Sequence, residues 1–157
     1  MTERTLIIIK PDGVQRRLAG RIIARFEDKG LQLVAAKLVQ ISEDMARRHY
    51  AAHKDKPFFE PAVKFVSSSP SLAMIWQGDG VINMSRKMIG GTFGFDALPG
   101  TIRGDFGRSE RYNIIHGSDS PKSAEEEIKM FFKPDEILDY EFSDAPWLYV
   151  KKARPKK

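Results

Sequence analysis

Leu6-Ile7-Ile8-Ile9 is an unbroken apolar run, and a run of this kind fits a strand covered on both faces. Lys10-Pro11-Asp12-Gly13 then turns the chain. Leu18, Ile22 and Phe26 share a stripe beside Ala19 and Ile23, and Gly30 stands where a helix C-cap belongs, so residues 18–29 are expected to be helical. A second strand is expected within 31–41. Ser42 is placed to N-cap a helix running through about His53, and another short helix is expected after Pro61. Leu72 to Trp76 reads as the third strand, and Val81, Ser85, Met88 and Ile89 repeat at helical spacing. Residues 90–112 form a long Gly-rich connection without clear period. Asn113 to His116 is the expected fourth strand, and Ser123-Ala124-Glu125-Glu126 is a capping box before a helix with the stripe Ile128, Phe131 and Phe132. With the two short helices set aside the order is β-α-β-β-α-β, which predicts a ferredoxin-like α+β domain with a four-stranded antiparallel sheet.

A chain of 157 residues with 41% apolar content has the size and the core of one domain. Residues 1–150 are read as that domain and Lys151-Lys152-Ala153-Arg154-Pro155-Lys156-Lys157 as a basic tail, which carries most of the net charge of +5. No stretch approaches the ~20 apolar residues of a membrane helix, and Met1-Thr2-Glu3-Arg4 lacks the plan of a signal peptide, so a cytoplasmic protein is expected, away from any membrane. The absence of cysteine excludes disulfides, thiolate metal sites and a cysteine nucleophile. The positive charge suits a phosphate-bearing partner. Fold alone does not choose a function, because this architecture carries RNA-binding modules, regulatory domains and enzymes.

His116, in Asn113-Ile114-Ile115-His116-Gly117-Ser118-Asp119-Ser120, lies between an apolar strand and a tight turn. A lone histidine is more often a packed side chain than a reactive one. Helical spacing changes the balance, because it sets Glu127 on the flank of Ala124 and Phe131, at the edge of the buried stripe. A carboxylate at the core boundary needs a partner, and His116 is the one at hand. A histidine held by a carboxylate through one ring nitrogen presents the other as a nucleophile. Ser118 can join that network or simply shape the turn. Lys10 closes a strand where an ammonium can hang over a pocket, with an ordinary strand-end lysine as the alternative. Arg103, between Gly100 and Gly104, and Arg86, with Thr92 after Gly90-Gly91, can grip phosphate or form surface ion pairs.

Absences narrow the chemistry further. Neither G-x-x-x-x-G-K-[ST] nor G-x-G-x-x-G occurs, which argues against a P-loop or protein-kinase mechanism. His49 and His53 are half a metal site at most and are read as an exposed helix face. Phe58-Phe59 either packs or stacks on a base.

Three separated stretches, NIIHGSDS at 113–120, KPDGVQR at 10–16 and PGTIRGDF at 99–106, resemble the nucleoside diphosphate kinase family, and the resemblance covers nearly the whole chain. It implies transfer of the terminal phosphate of a nucleoside triphosphate to a nucleoside diphosphate, in a ping-pong sequence through a phosphohistidine, which maintains nucleoside triphosphate pools. By matching position, His116 is the nucleophile, Glu127 its orienting carboxylate and Ser118 a supporting group. Lys10, Tyr50, Arg86, Thr92, Arg103 and Asn113 hold phosphates and ribose, and Phe58 stacks on the base. Magnesium arrives with the nucleotide, in keeping with the lack of a dedicated ligand cluster. A homo-oligomer is implied, a hexamer or a tetramer; Phe93, Phe95 and Phe106 in one loop fit burial against something.

The chain departs from the family in two places. Phe93-Gly94-Phe95-Asp96 stands where many members have Asn-Pro, and Glu110-Arg111-Tyr112 where they often have Gly-Arg. The rival function, an RNA-binding module, requires a K/R-G-F/Y aromatic motif on the sheet, and none occurs. Nucleic acid is left as a secondary role of the basic tail.

Overall fold

The computed structural model describes residues 2–150, so the basic tail at 151–157 lies outside the described residues. Four strands, β1 (Thr2–Ile9), β2 (Gln32–Val39), β3 (Ser71–Asp79) and β4 (Ile115–Gly117), form one sheet in the order β2-β3-β1-β4, with every neighbouring pair antiparallel. The helices are α1 (Pro11–Gln15), α2 (Ala19–Asp28), α3 (Glu43–His49), α4 (Phe59–Ser67), α5 (Val81–Ile89), α6 (Ile102–Phe106), α7 (Pro121–Phe131) and α8 (Ala145–Leu148). Helices α2 and α5 make the two crossovers, which is the ferredoxin-like order the apolar runs predict. No helix is long and apolar enough to cross a membrane among the described residues.

The apolar run of β1 is buried on both faces because its side chains alternate between two cores. Ile7 and Ile9 pack with Ile22 and Phe26 of α2, with Val81 and Ile89 of α5 and with Trp76, whose ring stacks on Phe26 at 5.1 Å. Leu6 and Ile8 pack on the other side with Ala46 of α3, Val63 and Val66 of α4 and Phe131 of α7. The two short helices set aside in the strand-order reading are therefore structural, since they cover the second face. Each Leu or Ile kept from water there contributes about 1.5–3 kcal/mol.

Several local expectations change. Lys10-Pro11-Asp12-Gly13 is the start of α1 rather than a turn, with Pro11 at the first helical position, where its fixed φ and missing N–H suit a helix. The long connection contains α6, capped by Thr101, whose hydroxyl accepts from the Gly104 amide at 3.0 Å. The capping box of α7 opens earlier than its motif suggests: Ser120 is the N-cap and Ser123 its reciprocal partner, with bonds of 3.2 and 3.0 Å. Helix α3 is capped by Ser42 as expected but ends at His49, and Ala51–His53 is a 3-10 turn. Gly30, at φ +77°, ends α2 where the C-cap was expected. The free edge of β2 is covered by the chain after α7, where the Leu138 amide donates to the Val34 carbonyl at 2.9 Å and the Tyr140 hydroxyl to the Leu33 carbonyl at 2.7 Å.

Candidate active site

Strand β4 pairs with β1 so that His116 lies opposite Ile8, on the face covered by α3, α4 and α7. Helix α7 brings Glu127 to it: His116 Nε2 stands 3.0 Å from Glu127 Oε2. The Ser118 hydroxyl donates to the same oxygen at 2.6 Å. Ser118 is itself fixed, because its backbone N–H donates to the Leu6 carbonyl at 3.1 Å and its hydroxyl accepts from the Leu6 amide at 3.2 Å. Burial alone would raise the Glu127 carboxyl pKa; the hydrogen bond and charge of His116, helped by Ser118, bring it below the ordinary carboxylate range. Glu127 therefore stays ionised and holds Nε2, which leaves Nδ1 as the nitrogen that can react.

Three cations surround this pair. Lys10 Nζ donates to Asn113 Oδ1 at 2.8 Å, and Asn113 Nδ2 donates to the Thr92 carbonyl at 3.2 Å, tying the end of β1 to the long connection. Arg86 reaches from α5 to the Gly117 carbonyl at 3.4 Å, beside the histidine. Arg103, only 5% exposed, donates to the carbonyls of Asn113 at 3.2 Å and Ile115 at 2.7 Å, on both sides of Ile114. Burial and the Arg103 charge push Lys10 down to about 8 against the pull of Asp12, and burial and Arg86 push Arg103 down to about 10, where it is still fully charged at neutral pH. These hydrogen bonds go to amide and carbonyl oxygens, not to carboxylates, so most of the positive charge is left to face an anion.

The backbone between Lys10 and His116 is strained. Ile114 has φ +72°, a region a β-branched side chain rarely adopts, and this is why β4 starts at Ile115 and not at Asn113. The Ile114 amide donates to Asp12 Oδ2 at 3.1 Å and its carbonyl accepts from the Lys10 amide at 2.7 Å. Gly13 lets these elements meet, since a Cβ there would stand 2.6 Å from Ile9 Cγ2. Sequence reasoning missed Asp12, because reading KPDG as a turn hid its place in the first turn of α1. No sequence signal marks Ile114.

Tyr50, at the end of α3, lines a small cavity of about 10 Å³ with Lys10, His49 and His116, and burial raises its phenol to about 12 against the opposing charge of Arg103. Phe58 is half-exposed at the N-cap of α4, its ring 5.4 Å from that of His53. His49 is not on an exposed face, which corrects the expectation from its spacing to His53: three residues after the buried Ala46, its ring sits 4.6 Å from that of His116. His49, His116 and Glu127 offer donor atoms within 4.8 Å of one another, but the neighbouring cations and the hydrogen bonds already made at Glu127 disfavour a resident metal ion. A wider groove of about 730 Å³, lined by Arg16, Lys64, Phe65, Arg111 and Tyr112 among others, does not include His116.

A histidine held by a carboxylate at one ring nitrogen, with Lys10, Arg86 and Arg103 bonded to oxygens of the residues around it, is an arrangement that can move a phosphoryl group. The family model described as Nucleoside diphosphate kinase matches residues 3–137. The chain belongs to the nucleoside diphosphate kinase family. It is 54% identical over 147 residues to a nucleoside diphosphate kinase of Bacillus cereus, covering 94% of this chain and 99% of the relative. It is also 54% identical over 149 residues to one from Natronomonas pharaonis, covering 94% and 97%. The solved nucleoside diphosphate kinase of Halobacterium salinarum, in complex with CDP, superposes with a TM-score of 0.94 at 45% identity, covering 96% of this chain and all of that one. Membership makes this chain a kinase that moves the terminal phosphate of a nucleoside triphosphate to a nucleoside diphosphate and needs a divalent metal.

Proposed function

We propose that His116 carries the phosphate between the two nucleotides. The observation that supports this most is the contact between His116 Nε2 and Glu127, which leaves Nδ1 free. The neutral ring keeps its proton on Nε2, and the Nδ1 lone pair attacks the terminal phosphorus. The P–O bond to the bridging oxygen breaks, and the diphosphate leaves with the electron pair. The ring that results is cationic, and the Glu127 carboxylate stabilises it. The reverse sequence delivers the phosphoryl group to the second diphosphate. If this is so, the protein incubated with ATP alone releases ADP and keeps one phosphoryl group; uptake of phosphate only when a diphosphate acceptor is also present would refute the two-step scheme.

Lys10, Arg86, Arg103, Thr92 and Asn113 hold the phosphates and ribose, Tyr50 stands beside them, and Phe58 stacks on the base. Magnesium comes with the nucleotide phosphates, since the donors around His116 do not suit an all-oxygen octahedral site. Residues 1–150 are the catalytic domain, and a secondary nucleic-acid contact is assigned to the basic sequence at 151–157. Nucleotide substrates fit a cytoplasmic location. The working form is a homo-oligomer, a hexamer or a tetramer, which light scattering measures directly. Exposed apolar surface supports this: Phe93 and Phe95 lie with their rings 6.0 Å apart near the solvent, and Trp147 is 90% exposed, whereas Phe106 packs on the core of its own chain.

The low pKa of Lys10 gives a pH dependence. Phosphate binding favours the ammonium, while the free protein loses that proton as pH rises through about 8. The Lys10 contribution to diphosphate affinity is therefore expected to be constant below pH ~7 and to weaken toward about tenfold per pH unit above the Lys10 pKa. Titration calorimetry with ADP on wild type and Lys10→Gln checks this. The variant should bind more weakly at neutral pH and lose the alkaline limb, and a limb that persists would place the titration elsewhere.

A further inference from the structure

His49 touches the nucleophile although the transfer scheme gives it no role. As the last residue of α3, it meets His116 edge-to-face, with ring centroids 4.6 Å apart and planes at 81°. The rings of Tyr50 and Phe131 also meet it edge-on, at 4.8 and 5.7 Å. Its Nδ1 is buried without a hydrogen-bond partner. Burial, with the charges of His116 and Lys10, pushes its pKa down to about 3 against the pull of Glu127, so the ring is neutral wherever the protein works. What His49 presents to His116 is therefore a flat, uncharged ring held edge-to-face against it.

The nucleophile needs what such a ring supplies. The torsion that turns a histidine ring about Cβ–Cγ is broad, and one hydrogen bond at Nε2 leaves the ring free to rock. Rocking moves Nδ1 off the line of attack, where a shift of about 1 Å can slow transfer by ~10²-fold. We infer that His49 is a positioning residue: its ring, in contact with those of Phe131 and Tyr50, holds the His116 imidazole so that Nε2 stays on Glu127 and Nδ1 faces the nucleotide. This rests on the reading of His116 as the nucleophile.

The test is single-turnover phosphorylation by ATP in rapid-quench experiments, with His116→Asn as control. His49→Ala should be phosphorylated about 10²-fold more slowly at saturating ATP, with the half-saturating concentration changed less than about threefold. His49→Phe, which restores a ring, should recover to within about fivefold of wild type. Should His49→Ala fail to fold by circular dichroism, His49→Leu replaces it and should be slow where His49→Phe is fast. Wild-type rates in folded His49→Ala or His49→Leu overturn the inference. So does a folded His49→Phe as slow as the alanine variant, since a ring nitrogen and not packing would then matter. If the wild-type phosphoenzyme survives acid, or His116→Asn still takes up label, the nucleophile assignment itself has failed, and the inference falls with it for that separate reason.

Discussion

His116→Asn is expected to fold like the wild-type protein and to transfer phosphate at least ~10⁴-fold more slowly, the scale seen when a covalent nucleophile is removed. No other group in the cleft is placed to replace it: His49 Nδ1 is buried, and burial holds the Tyr50 phenol protonated. Lys10 and the two arginines are cations, and the Ser118 hydroxyl is committed to Glu127 at 2.6 Å with its backbone bonded to Leu6. The fold should survive, because the His116 side chain contributes one hydrogen bond at a half-buried position and Glu127 keeps Ser118 as a partner. A coupled assay with ATP and a second diphosphate, run beside thermal melting, separates the two effects. Residual transfer within tenfold of wild type in a folded variant would rule out the phosphohistidine path.

Arg103→Met is expected to damage both stability and transfer. The buried guanidinium satisfies the carbonyls of Asn113 and Ile115 and so clamps the strained Ile114 from both sides. A methionine leaves the Ile115 carbonyl without this donor and removes a charge from the phosphate cleft. Two charge-assisted hydrogen bonds of this kind correspond to about 3–6 kcal/mol. For a domain of this size the melting temperature should fall by roughly 10 °C. Transfer should fall by ~10²–10³-fold even at temperatures where the variant is folded, because both the developing phosphate charge and the aim of His116 depend on this residue. Arg103→Lys can make one of the bonds and should lie between. Unchanged stability in Arg103→Met would mean that the clamp contributes little.

How much of this was legible in the sequence depended on whether the signal was local. The alternation of apolar strands and helical stripes is local, so the ferredoxin-like order could be read from it. The contact between Glu127 and His116 could also be read, because Glu127 sits at the edge of the Ala124 and Phe131 stripe, eleven residues on from the histidine. The convergence of Lys10, Arg86 and Arg103 had no such signal. Each could equally be a surface cation until the sheet order β2-β3-β1-β4 sets the end of β1 beside β4. Helix α1 was hidden by a proline and a glycine that read as a turn, and α6 by the glycines around it. The left-handed Ile114 runs against its own side-chain preference, and it is held there by the Ile115 amide bonding across it to the Asn113 carbonyl at 2.8 Å and by bonds involving Asp12, Lys10 and Arg103. Helical spacing gives the distance of His49 from His53 but not the strand ring that α3 lays it against.

Phosphoenzyme mapping tests the central claim most directly. The protein is incubated with ATP labelled on its terminal phosphate, quenched, split for acid and base treatment, and digested for mass spectrometry. The expected result is one phosphoryl group on the peptide containing His116, lost in acid and retained in base, and discharged when a nucleoside diphosphate is added. Label that survives acid and maps to Ser118, or transfer that proceeds with no label on His116, would contradict the account.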